Sequence, residues 1–350
     1  GYHWFGDWGR DTMISLPGLA IATGRLEVAR EILRTFSHYV DQGMLPNRFP
    51  DGTEEPEYNS VDAPLTYFEA IRAYYQVTSD RDFLVEIFPV LAEIIACYCR
   101  GTRYNIYLDH HDGLIYAGQK GTQLTWLDAT VGDWVVTPRQ GKPIEVNAYW
   151  YNALAVMVEF AQILDKSAQE YQDLKAKTAQ GFGRFWYEIG GYCYDVIDGS
   201  DGKDTAMRPN QIFAVSLPVS PLTDKQQKGV VENCARFLLT SHGLRSLAPH
   251  NAHYTGNYGG SPLQRDGAYH QGTVWGWLIG HFAIAHYRVF RNAPQALSFL
   301  EPMANHLAAH GVGSLSEIFD GVPPHSSRGC IAQAWTVGEV LRAWKILMAI

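Results

Sequence analysis

Apolar side chains return every three to four positions along nearly the whole chain, the spacing that puts them on one face of an α-helix. The periodic stretches predict eleven helices, over 12–23, 26–40, 61–77, 81–99, 145–164, 168–186, 207–217, 225–239, 272–290, 293–309 and 330–348. Most fall into pairs joined by short turns such as 22–25. Asp80, Ser167 and Asp224 stand at the start of three of them, where a short polar side chain can accept from the free N–H groups of a first turn. One strand-like run, 191–197, interrupts the helical reading.

Four longer polar-aromatic segments separate the pairs: 42–60, 104–143, 243–269 and 311–329. They alternate with short turns, so in a ring of helical hairpins they gather at one end, where loops on a rigid scaffold build sites. The expectation is an all-α fold, an (α/α)6 barrel of six hairpins. Such a barrel needs twelve helices, and eleven are predicted, so one helix is expected to be missing ahead of Gly1. No Pro/Ser linker or shift in composition divides the 350 residues, which predicts one domain over 1–350. Because the chain opens on the dense run GYHWFGDWGRDT, it reads as a piece of a longer chain, with no signal-peptide order at its start. The hairpins repeat as architecture without a repeated motif, which argues against a solenoid.

The hydrophobic fraction of 46% and charged fraction of 18% supply a sizeable core and exclude disorder. Twenty-eight basic against 36 acidic side chains, a net charge of −8, with no basic block, argue against a nucleic-acid partner. The longest apolar stretches, 91–97 and 275–285, are interrupted before they reach membrane-spanning length, so no membrane partner is expected. Five cysteines without CxxC spacing (Cys97, Cys99, Cys193, Cys234, Cys330) form neither a disulfide framework nor a zinc motif and suit a reducing cytoplasm. His270 has no second His or Cys at ligand spacing, and His110-His111 reads as a loop pair. No metal or other cofactor is expected.

Aromatic residues are the outlier at 13%. Trp4, Trp8, Trp126 and Trp134 sit beside Asp, Arg or Gly rather than inside apolar periodic stretches, an arrangement that suits the C–H face of a sugar ring with its hydroxyls nearby. Four segments concentrate acids with aromatics. Trp8-Gly9-Arg10-Asp11 can present donors and an acceptor to vicinal hydroxyls, or simply cap a helix. Thr125-Trp126-Leu127-Asp128 places a carboxyl beside an indole that would desolvate it, although a turn-forming Asp fits equally. Tyr269-His270-Gln271 leads to Trp275, and Ser316-Glu317 lies in the last long segment. Acids on separate loops invite a two-carboxylate reading, glycosidic cleavage by an acid and a base. GxSxG, P-loop and GxGxxG signatures are absent.

WFGDWGRDTMISLPGL, TWLDA with VTPRQGKPIEVNAYWYNAL, GLRSLAP, DGAYHQGTVWGWLIG and SEIFDG with GCIAQAWTVGEVLR resemble the C-terminal amylo-α-1,6-glucosidase domain of glycogen debranching enzymes, in family order along the whole chain. The resemblance implies an (α/α)6 barrel and an inverting hydrolase that removes the α-1,6-linked glucose stub from glycogen or a limit dextrin in the cytoplasm. It implies Asp128 as general acid and Glu317 as general base. Arg10 and Asp11 would grip the terminal glucose, with Trp8, Trp126, His270, Gln271 and Trp275 lining its pocket. Branched α-glucan is the expected partner, together with an N-terminal remainder of the same chain. The competing expectations are a glucoamylase-like α-1,4-glucosidase and a carbohydrate-binding fragment without activity.

Overall fold

Helices that are apolar on every side must be buried on every side. The computed structural model, which describes residues 1–4, 6–49 and 55–350, has an inner ring of six helices, of which Ile144–Ile163 comes nearest to burial on every side. In chain order the helices are α1 (Gly9–Leu16, prolonged by a π-helical turn over Pro17–Ile21), α2 (Leu26–Ser37), α3 (Ala63–Thr78), α4 (Arg81–Arg100), α5 (Ile144–Ile163) and α6 (Gln169–Phe182). There follow α7 (Phe213–Ser216, entered through a 3-10 turn over Pro209–Ile212), α8 (Asp224–Phe237), α9 (Pro262–Tyr269), α10 (Leu278–Phe290), α11 (Ala293–Ser298), α12 (Glu301–Ala309) and α13 (Ala334–Met348).

The inner helices α1, α3, α5, α7, α10 and α13 each pack on the next, and α13 closes the ring on α1. Helix α5 shows the principle: it buries Ile144, Val146, Trp150, Leu154, Met157 and Phe160 together with its polar Glu145, Asn147 and Asn152. Outside them lie α2, α4, α6, α8 and the broken pair α11/α12. This is the (α/α)6 architecture. Among the described residues no sixth outer helix covers the flank of α13. There Trp344 and Met348 are exposed beside an apolar groove of about 490 Å³ lined by α12 and α13.

Inner helices lead out through short links, 22–25, 79–80, 164–168, 217–223 and 291–292, whereas outer helices return through long segments. Each long segment therefore precedes an inner helix, and all gather at one end of the ring. The expected four are joined by a fifth, 183–208. Two-residue strands brace that end. Five of them form an antiparallel sheet in the order Ser327–Arg328, Ile318–Phe319, Val274–Trp275, Gly243–Arg245 (three residues), Leu239–Thr240.

The elements depart from the periodic reading where local chemistry prevails. The stretch 293–309 breaks in two because Pro302 cannot continue a helix and instead takes a first-turn position of α12. In 272–290 the first residues are a strand, and the helix starts at Leu278. Helix α9 lies inside the supposed loop 243–269, nucleated by a capping box between Ser261 and Gln264 with Pro262 in its first turn. Asp80 caps α4 by accepting from the Phe83 N–H. For α8 the cap is Thr223, boxed with Gln226, rather than Asp224. Ala168 rather than Ser167 holds the cap position of α6, although Ser167 Oγ accepts a long bond of 3.5 Å from the Gln169 N–H. The run 191–197 yields two short strands in different sheets, Tyr192–Cys193 and Val196–Ile197. No helix among the described residues is long and apolar enough to cross a membrane.

Candidate active site

At the loop end, a cavity of about 290 Å³ opens over the centre of the ring. The start of α1 contributes Trp8, Arg10 and Asp11; segment 38–62 contributes Asn47 and Asn59; segment 101–143 contributes Gln123, Trp126, Asp128 and Thr130. Tyr269 ends α9, Trp275 and Glu317 stand on or beside the five-stranded sheet, and Gln333 and Trp335 open α13. Its aromatic wall is interlocked: Trp126 meets Trp275 and Trp277 edge-on, while Trp277 stacks on Trp335 at 5.0 Å. The Trp126 indole N–H is fixed on Asn210 Oδ1 at 2.7 Å.

Asp128 and Glu317 both face this cavity, from different segments. Asp128 is held by Arg10, whose Nη1 donates to its carboxylate at 2.7 Å. The rest of that guanidinium is spent on the protein: Nε donates to Asp62 at 2.8 Å, and Nη2 to Ser60 Oγ and the Leu124 carbonyl. Arg10 is buried, and its charge is offset first by the buried Asp62, with the half-buried Asp128 as a second acceptor. Burial raises the pKa of Asp128 above the ordinary aspartate value against the opposing pull of Arg10.

Glu317 is almost fully buried and has both oxygens engaged. Tyr269 Oη and Gln333 Nε2 donate to Oε1, and the Cys330 N–H donates to Oε2 at 3.0 Å. Burial pushes its pKa up, while the Tyr269 and Cys330 donors favour the anion. Asp11 has its pKa pushed up to about 7, first by burial and then by the charges of Asp128 and Glu317, with Arg10 opposing. Three further atoms around the cavity are buried without a hydrogen-bond partner among the described residues: Asn47 Oδ1, Gln123 Nε2 and Trp335 Nε1.

Of the nine residues named from sequence, seven meet here. His270 does not line the cavity. It stacks behind, against Trp275 and edge-on to Trp126, where it accepts from the Ala129 N–H. Burial and nearby arginines hold its pKa well below the usual histidine value. Gln271 faces a second cavity, of about 860 Å³, and is tied to Arg208 and the Val136 carbonyl. Sequence reasoning missed Tyr269, Gln333, Asn47, Gln123 and Trp335 as site residues, although Tyr269, Gln333 and Trp335 lie inside the quoted motifs.

For metals, one acidic trio lies close enough among the described residues to share an ion: Asp109, Asp112 and Asp198. Lys142 Nζ already sits among them, at 2.7–2.8 Å from each, and supplies the positive charge.

A ring of six inner helices with acids and indoles at its loop end defines a glycoside hydrolase of the (α/α)6 type, and comparison with known proteins agrees. The family model for amylo-alpha-1,6-glucosidase matches residues 1–342, and the chain belongs to that family. It is 23% identical to the glycogen debranching enzyme of Saccharomyces cerevisiae over 82% of its own length, and spans about a quarter of that enzyme. Two solved structures from Thermus thermophilus share the fold at a TM-score of 0.74, each covering 97% of this chain and 94% of its own. One is an uncharacterized conserved protein, 15% identical, and the other a GH63 mannosylglycerate hydrolase in complex with glucose, 14% identical.

Proposed function

We propose that the chain is an inverting α-glucosidase that removes single α-1,6-linked glucosyl branches from branched α-glucan such as glycogen or a limit dextrin, a substrate that places it in the cytoplasm. The observation that carries the reading is the pair Asp128 and Glu317, brought from two separate segments to one small, indole-walled cavity. Asp128, kept towards its protonated form by burial, gives a proton to the glycosidic oxygen as the bond to C1 breaks. Glu317 takes a proton from a water that attacks C1 from the opposite face, so glucose leaves as the β-anomer.

The surroundings support a sugar in that cavity. Its volume suits one hexose ring rather than a polymer, and its wall offers indole faces. Asn47, Gln123 and Trp335 present buried polar atoms that hydroxyls can satisfy, since buried polar groups left unpaired are costly. Asp11 faces the same space as an acceptor. Arg10 has a different part from the one the motif suggested: with its donors committed to Asp62, Ser60 and Leu124, it positions Asp128 rather than forking the hydroxyls.

The test is glucose release from a phosphorylase-limit dextrin, with the anomer followed by NMR and maltose oligomers as control. β-Glucose appearing first, from the dextrin alone, is the expected result; α-glucose first, or preferred release from maltose oligomers, overturns it. Asp128→Asn and Glu317→Gln should each lose about 10²- to 10⁴-fold in kcat, the usual worth of an acid or base, with unchanged circular dichroism.

A further inference from the structure

We propose that the larger cavity is a second carbohydrate site, which holds the α-1,4-linked glucan chain bearing the branch glucose; the branch itself rests on the function proposed above, the binding of the chain does not. The two cavities share their walls. In the hairpin of Thr130–Val131 with Trp134–Val135, Thr130 lines the small cavity and Trp134 and Val135 line the large one. The end of α9 does the same, with Tyr269 on one side and Gly267 and Gln271 on the other. A chain that crosses this shared edge, with its branch-bearing residue at the mouth of the small cavity and its further residues in the large one, keeps the glycosidic oxygen within reach of Asp128. At about 860 Å³ it has about three times the volume of the small one, room for several linked sugars.

Its chemistry selects a neutral polyhydroxylated ligand. Trp134 is 50% exposed in the lining of this cavity, where an open indole face can stack on a sugar ring. Its ring is seated on Gly267, where a Cβ would come within 3.3 Å of two ring carbons, so the indole is braced on one side and open on others. The cations here are not free to attract a polyanion: Arg139 is paired with Glu145 and Asp195, and Arg208 donates to the Ser246 and His270 carbonyls and to Gln271. Lys203, whose Nζ lies over the Tyr194 ring, lines the cavity together with the acids Asp201 and Asp204. An exposed indole among neutralised, hydrogen-bonding groups fits sugar rings and disfavours phosphate or nucleic acid. The segment 199–206, which has no part in the small cavity, finds its use as the far wall.

The experiment measures maltohexaose binding by calorimetry on the full chain and on Trp134→Ala, alongside kinetics on limit dextrin and on α-glucosyl fluoride, which carries no glucan chain. Trp134→Ala should weaken maltohexaose about tenfold, equivalent to about 1.4 kcal/mol, and raise KM for the dextrin with kcat unchanged. Hydrolysis of the fluoride should be unaffected, and Trp134→Phe should recover part of the affinity. Unaltered maltohexaose affinity and dextrin KM in Trp134→Ala would overturn the assignment. Failure of the wild type to hydrolyse either substrate would sink the proposed function alone, because maltohexaose binding still decides the cavity.

Discussion

Tyr269 and His270 are neighbours in the chain with opposite fates: one donates to the candidate base, the other is locked behind two indoles. Both stand in the run that the sequence offers as a site, yet a non-periodic segment carries no sign of which side chain points inward, so the sequence reading names the imidazole and passes over the phenol beside it. The two carboxylates stand out in the sequence through the motif runs that carry them, since an acid in a long loop taken alone fits a turn equally well. Their helpers do not, because Asn47 and Gln123 come into place only through the fold. Tyr269→Phe removes a donor that favours the Glu317 anion, so the pKa of Glu317 rises and the acid limb of kcat/KM moves to higher pH. A pH profile checks this, and a fall in activity of equal size at every pH would assign Tyr269 a merely structural part. Asp11 makes a second prediction. Its folded pKa, raised from about 4 to about 7, means that its contribution to stability is fully present below the unfolded value and is lost as pH rises through 7. Asp11→Asn should therefore melt above the wild type at pH 8, with the difference vanishing near pH 4.

The elements divide along the same line. The longer helices were readable because ten or more residues of repeated spacing leave a signal, whereas the eight-residue α9 leaves too little and strands of two residues have no period to read. Those strands nonetheless set the base. In the sheet Trp275 pairs with Ile318, the Gly276 N–H donates to the Glu317 carbonyl, and Ile318 pairs with Arg328. Gly329 follows at φ +64°, and a Cβ there would fall 2.2 Å from Glu317 Oε2. The turn thus needs glycine twice, for its backbone and for the carboxylate it lets in. Gly329→Ala should displace Glu317 from the Cys330 N–H and lower kcat at least tenfold. Binding of glucose, measured by calorimetry, should change far less; a parallel loss of both would point to general unfolding of the segment.

At the scale of the molecule, the ring has to be closed by the two ends of the chain. Helix α1 carries Arg10 and Asp11, the approach to α13 carries Glu317, and Gln333 and Trp335 stand at that helix's start, so the site is whole only if this seam is tight. The contact is backbone on backbone: a Cβ on Gly18 would lie 1.7 Å from the Gly338 carbonyl oxygen, and one on Gly338 would lie 2.8 Å from the Ser15 oxygen. Neither atom belongs to a flexible side chain, so a methyl group there must part the helices. Overpacking of this kind costs about 1–3 kcal/mol. Gly18→Ala should lower Tm by several degrees and also lower kcat/KM at temperatures where the protein is fully folded, because opening the seam moves Asp128, through Arg10, away from Glu317. Gly183→Ala is the control: its Cβ meets nothing within 4 Å, and it should leave both quantities unchanged. Were Gly18→Ala to lose stability but keep full activity while folded, the seam would serve the ring alone, and the alignment of acid and base would have to be set within the loops.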